Sequence, residues 1–196
     1  MVQNMSRHLL ASVFALVAAS VACDCGGAAP EPGTRPDVGG EGEAEDGLDV
    51  VDAALLRAHN DARADVSPTP SPPLPPLTWS TDLAATAQSW AERCVFEHSS
   101  GNLGENLALF SPRDVDASLA ASVVELWDSE RVDYSLSSNS CAAGKQCGHY
   151  TQLVWRDTER VGCGVANCNN VDGFGAGNLW VCNYDPPGNY VGERPY

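Results

Sequence analysis

C-G-H-Y-T-Q-L-V-W-R-D-T-E-R-V-G-C-G, residues 147–164, decides how this chain is read. Its first part, H-Y-T-Q-L-V-W, suits a strand or one short helix, because a short apolar run does not separate the two periodicities. Its last part runs into R-V-G-C-G-V (160–165), which is strand-like, and N-L-W-V-C-N-Y (178–184) offers it a partner. The turn-rich N-C-N-N-V-D-G-F-G-A-G between them predicts a hairpin or small antiparallel sheet. His149 stands at the head of the stretch. Whether it is a core imidazole or one arm of a site depends on the residues outside it.

Upstream the chain is helical. Asp49 is a good N-cap for a helix to about Ala64, with Val51, Ala54, Leu55, Ala58 and Ala62 on one face and His59 at its border. S-P-T-P-S-P-P-L-P-P-L (67–77) carries six prolines and predicts an extended surface loop, a spacer rather than a proline-rich ligand. A second helix begins near Ser80 or Thr81, with Leu83, Ala87, Trp90, Ala91 and Cys94 on one stripe. A third is predicted from Ser111-Pro112, with Asp114 closing a capping box and a stripe of Val115, Leu119, Val123, Leu126 and Trp127. Continued helix would turn Glu130 toward the core side. Glu130 is then either a helix end reaching solvent or a carboxylate facing an internal site. Helices first and strands later give an α+β domain.

The N-terminus reads as an export signal over residues 1–22: Arg7 and His8, an apolar run from Leu9 to Ala19, then small Ser20-Val21-Ala22. Cys23 after that site also resembles the lipidated cysteine of a bacterial lipoprotein, although Ser20 stands where such signals usually carry leucine; anchoring and free secretion both stay open. Residues 23–47 are poor in apolar surface and rich in Gly, Pro and Glu, the composition of a flexible acidic tether to a domain at 48–196.

The net charge is −15 with a single lysine, Lys145, so a nucleic-acid backbone is not an expected partner. Eight cysteines in an exported chain imply oxidation. Six of them (Cys94, Cys141, Cys147, Cys163, Cys168, Cys182) lie in the domain at spacings that match no common zinc motif, and three disulfides follow, with connectivity open. Cys25 is left without a role.

Outside the signal there are three histidines. His98 follows the second helix, and Glu105 lies in G-E-N-L, read as a polar loop. With His149 and Glu130 they make a candidate set of two imidazoles and two carboxylates, donors that suit a borderline divalent metal such as zinc. Two histidines leave coordination positions open, and Glu105 or Glu130 beside metal-bound water could act as a general base.

G-H-Y-T-Q-L-V-W-R-D-T (148–158) and L-W-V-C-N-Y-D-P-P-G-N-Y (179–190) resemble the two signature motifs of the CAP superfamily, and H-N-D-A-R (59–63) and G-E-N-L (104–107) its two shorter ones. That superfamily comprises cysteine-rich secretory proteins, venom antigens and plant pathogenesis-related class 1 proteins, and the plant class 1 group is the nearest in flavour. The resemblance, over residues 50–196, implies an α-β-α sandwich with helices on both sides of a small antiparallel sheet. It places His98, His149, Glu105 and Glu130 in one central cleft able to bind a divalent metal, zinc above all. It implies Cys94–Cys168, Cys141–Cys147 and Cys163–Cys182, and gives His59 a packing role with a backbone partner. It implies an extracellular or cell-surface binding module for a sterol, a fatty acid or another partner; the alternative is a metal-dependent hydrolase or peptidase in the same cleft. The tail P-P-G-N-Y-V-G-E-R-P-Y (186–196) resembles a segment that some plant relatives release as a peptide, against the simpler reading of a tail packed on the domain.

Overall fold

A computed structural model describes residues 47–171 and 173–196. The signal at 1–22, Cys23, Cys25 and all but the last residue of the tether lie outside them. Helix α1 spans Val50–Ala64, and the Asp49 carboxylate caps it by accepting the Val51 and Asp52 N–H groups. Its buried face carries Val51, Leu55, His59, Ala62 and Arg63. The proline loop returns the chain to strand β1 (Thr78–Trp79), and Ser80 caps helix α2 (Thr81–Ala91).

Strand β2 spans Gly104–Phe110, so G-E-N-L is strand and not the loop expected from its polarity. Its pairing with strand β6 (Gly175–Asp185) sets Glu105 opposite Asn183 and Leu107 opposite Val181. Strand β5 (Arg160–Val171) completes the hairpin with β6, with an irregularity between Cys168 and Val171. The sheet order is β1-β5-β6-β2, and β1 runs parallel to β5. The sheet is therefore mixed, not purely antiparallel. Strands β3 (Tyr134–Ser135) and β4 (Ser140–Cys141) make a separate two-stranded ribbon.

Helix α3 spans Ala117–Asp128 and starts later than predicted. Its cap is Asp116, whose side chain accepts the Leu119 N–H at 2.7 Å. Ser111 fails as a cap because the next residues are held elsewhere: Arg113 N–H donates to the Asn178 side chain of β6 at 3.0 Å. The buried stripe of α3 is Leu119, Ala120, Val123, Val124 and Trp127, and Leu126 is half exposed, off that face. The α-helix stops at Asp128 and a 3-10 turn takes over at Ser129–Asp133. Glu130 is thus outside α3, and helical extrapolation is not what points it inward. H-Y-T-Q-L resolves as helix: α4 spans Gly148–Leu153.

Two apolar layers sandwich the sheet. Alternation along the strands sends Ala108, Trp180, Cys182 and Tyr184 to a core shared with α1, α3 and α4. Leu107, Leu179 and Val181 go to the opposite face, against Ala87 and Ala91 of α2. Helix α2 lies flush on β5 because Gly162 and Gly164 have no side chain: a Cβ on Gly164 would stand 2.4 Å from the Gln88 Cα. The Gln88 side chain bonds both the N–H and the C=O of Val165. Buried Arg63 ties the proline loop to the end of α4, donating to Pro75, Leu153 and Trp155 carbonyls at 2.8–2.9 Å. Burial lowers its pKa to about 10.

The three disulfides are Cys94–Cys168, Cys141–Cys147 and Cys163–Cys182, the pairing that the resemblance implied. The C-terminal segment is packed on the domain: Gly188 N–H donates to Gln152, Arg156 N–H to the Pro195 carbonyl, and Arg194 to the Leu136 carbonyl. Among the described residues no helix is long and apolar enough to cross a membrane.

Candidate functional site

The four expected residues form two histidine–glutamate pairs. His98, in the loop after α2, donates from Nδ1 to Glu105 Oε1 at 2.9 Å. The same oxygen accepts the Ser99 N–H at 2.8 Å. His149, at the start of α4, donates from Nδ1 to Glu130 Oε1 at 2.6 Å. Glu130 Oε2 accepts the N–H groups of His149 and Tyr150 at 3.0 and 3.1 Å. These are unsatisfied first-turn donors of α4, so the carboxylate serves as a cap supplied from another element.

The pairs reach the site from opposite faces of the sheet. Glu105 alternates in register with Leu107, on the α2 side, whereas Asn106 belongs to the α1/α3 side and donates to the His149 carbonyl at 3.2 Å. Edge strand β2 brings both to one place. His98, Glu105 and His149 line a cleft of about 490 Å³, together with Gln146, Gln152 and Asn189. Glu130 stands behind His149, outside that lining.

Electrostatics favour the charged carboxylates. Burial alone would raise Glu105, but the bonds from His98 and Ser99 outweigh it and hold the pKa below the usual range. Burial likewise opposes, and the bonds from His149 and Tyr150 overcome it, to lower Glu130. The hydrogen bond to Glu105 raises His98, against some desolvation.

A second polar chain supports His149 from behind. His59 is fully buried, and its Nδ1–H donates to the Leu55 carbonyl at 2.7 Å. A carbonyl can only accept, so the ring's Nε2 is the acceptor, and the Tyr184 hydroxyl donates to it at 2.9 Å. The Tyr184 oxygen accepts from Asn106, which also holds the His149 carbonyl. Burial drives His59 to a pKa of about 4, keeping it neutral in this chain of bonds. Trp127 stacks on His149, with ring centroids 6.1 Å apart and planes at 22°, and its indole N–H donates to the Leu107 carbonyl. Asn106 and Tyr184 had no assigned role in the sequence, and Trp127 only a place on the apolar stripe of the third helix. The signal available was only that Asn106 and Tyr184 sit inside the quoted motifs.

The donor types suit a metal, although no three of the four residues bring ligand atoms within 4.8 Å of one another. Each Nδ1–H is held by a carboxylate, which leaves Nε2 of each ring as the lone pair without a partner among the described residues, the arrangement common at protein metal ligands. Among the described residues, three metal-ligating side chains come within 4.8 Å of one another only at His59, Cys163 and Cys182. That set cannot ligate as it stands, because the sulfurs form a disulfide and both His59 nitrogens are engaged.

Residues 56–184 match the model of the cysteine-rich secretory protein (CAP) family. Pathogenesis-related protein 1A of Nicotiana tabacum is 49% identical over 145 residues, 72% of this chain and 78% of that protein. Among solved structures, venom allergen-like protein 4 of Schistosoma mansoni superposes with a TM-score of 0.60 at 28% identity, covering 76% of this chain and 95% of that one. NaASP2, solved with Zn2+, gives a TM-score of 0.62 at 25% identity, over 79% of this chain and 90% of the other.

Proposed function

Because the chain belongs to the cysteine-rich secretory protein (CAP) family, we propose that it is an exported binding module whose cleft takes a divalent metal, zinc first. The observation that carries this reading is the matched pair of Nδ1-anchored imidazoles on one cleft. His98 and His149 would hold the metal through Nε2, while Glu105 and Glu130 orient the rings and raise their basicity. The family relative solved with Zn2+ supports the choice of metal.

Binding is favoured over hydrolysis because the carboxylates are occupied. Glu130 spends three acceptor contacts on α4 and His149 and does not line the cleft. Glu105 lines it, but Oε1 already accepts two donors, and Oε2, which accepts a long contact from the Asn183 amide at 3.5 Å, is the one candidate base. Export, with or without a lipid on Cys23, is part of the same reading and places the domain extracellularly or at the cell surface; mass spectrometry of the mature N-terminus tests it.

For a sterol or fatty acid partner, the supporting feature is a separate trough of about 610 Å³ between α1 and α3, floored by Ala54, Ala58, Ala62, Ala121 and Val124. Radiolabelled cholesterol and palmitate test this; absence of saturable uptake by either removes the lipid part. The metal part is tested by calorimetric titration with zinc. Wild type binds, and the double variant His98→Ala with His149→Ala does not; equal affinity in the two proteins would overturn the site.

A further inference from the structure

The cleft has a neighbour that the metal reading does not use. A trough of about 350 Å³ lies between Tyr134, Ser140, Trp155, Tyr190 and Glu193, and it shares Cys147, Gly148 and Asn189 with the cleft. The shared wall is open at its centre, since a Cβ built on Gly148 meets nothing within 4 Å. Asn189 holds the wall in place: it donates to the Gly148 carbonyl at 2.9 Å and accepts the Thr151 hydroxyl at 2.6 Å. In the trough Tyr190, next to Asn189 in the chain, is 51% exposed, with its ring 6.0 Å from that of Trp155.

We propose that cleft and trough form one groove across Gly148 that binds an extended neutral oligosaccharide. This rests on reading the cleft as a binding site, and not on a bound metal. A pyranose offers an apolar C–H face bordered by hydroxyls. The groove answers with an exposed aromatic ring, Tyr190, and the polar side chains Gln146, Ser140 and Glu193 along its walls. Charge selects neutral sugars: Glu105 lines the cleft and Glu193 the trough, on a chain with net charge −15, which repels sulfated or uronic polymers. An extended peptide fits less well. Its usual footholds are a free sheet edge and pockets for apolar side chains, and along β2 the central Asn106, Leu107 and Ala108 are buried.

The test uses hexasaccharides and disaccharides of β-1,4-linked glucose, N-acetylglucosamine and mannose, with affinities measured by calorimetry. At least one hexasaccharide should bind about ten-fold tighter than its disaccharide, because only the longer chain spans both cavities. Gly148→Leu, which fills the saddle, and Tyr190→Ala, which removes the platform, should each weaken it by about ten-fold. Tyr190→Ala should leave the zinc titration unchanged, which separates this proposal from the metal reading. Far-UV circular dichroism and thermal melting show that both variants fold. The proposal is overturned if no hexasaccharide binds at millimolar concentration, or if hexamer and dimer bind equally. It is also overturned if folded Gly148→Leu binds like wild type, or if a peptide library yields ligands where the sugars yield none.

Discussion

Glu130 and His149 hold each other twice: one carboxylate oxygen takes the imidazole Nδ1–H at 2.6 Å, and the other takes the His149 main-chain N–H at 3.0 Å. Ring orientation and helix start are therefore set by one side chain. Glu130→Gln keeps the size but replaces one acceptor oxygen with a donor, so if the proposed site binds zinc its affinity should fall by about 10–100-fold, the usual effect of losing the carboxylate behind a metal-bound histidine. Glu130→Ala should in addition cost about 1–3 kcal/mol of stability by orphaning the α4 donors. Titration calorimetry and urea unfolding measure the two effects; unchanged zinc affinity in Glu130→Gln would show that the carboxylate does not orient the ring.

His59 links stability to pH. Its folded pKa, about 4, lies below the ordinary histidine value of 6.5, so the unfolded chain binds the extra proton first. The contribution of neutral His59 is therefore complete above pH 6.5 and is lost as pH falls toward 4, on the order of 3 kcal/mol in all. Urea midpoints between pH 7.5 and 4 should fall in wild type and flatten in His59→Gln. Parallel slopes in the two proteins would assign the acid sensitivity to other groups.

Gly164 gives helix α2 its close seat. In Gly164→Ala the new methyl would meet the Gln88 backbone at 2.4 Å, so the helix must lift off β5. Destabilisation of about 1–3 kcal/mol is expected from such overpacking, with Gly148→Ala, where nothing is met within 4 Å, as the tolerated control. Thermal melts of the two variants compare them directly.

The disulfides should differ by loop length. Cys94–Cys168 spans 74 residues and Cys141–Cys147 only 6. Loop-closure entropy makes the first worth about 4 kcal/mol and the second about 2 kcal/mol. Paired Cys→Ala variants in denaturant should show that order; the reverse order would mean that native contacts around the short loop outweigh chain entropy.

Much of the candidate site was legible because residue chemistry is local. With the cysteines assigned to disulfides, the few histidines and the glutamates near them were the candidate donors the sequence offered. Asp49 reads as a cap and acts as one, and the second helix starts where its sequence places it, near Ser80. Readings failed where a distant partner outbid a local signal. Ser111-Pro112 looks like a helix start, yet Asn178 holds Arg113 and delays the helix to Asp116. G-E-N-L looks like a loop until β6, more than seventy residues on, supplies its hydrogen bonds. Glu130 was singled out by extending a helix that in fact ends at Asp128.

By itself the sequence determined the first two helices, the β5–β6 hairpin, the acidic charge and the types of donor available, since these depend on neighbours within a turn or a strand. Only the tertiary structure decided that each imidazole has its own glutamate, that His59 is neutral, and that edge strand β2 carries Glu105 and Asn106 to one cleft from opposite faces. Those outcomes depend on burial and on contacts between residues 7 to 125 positions apart. Local propensity carries no record of such contacts, which form only when the packed core repays the entropy of closing the chain.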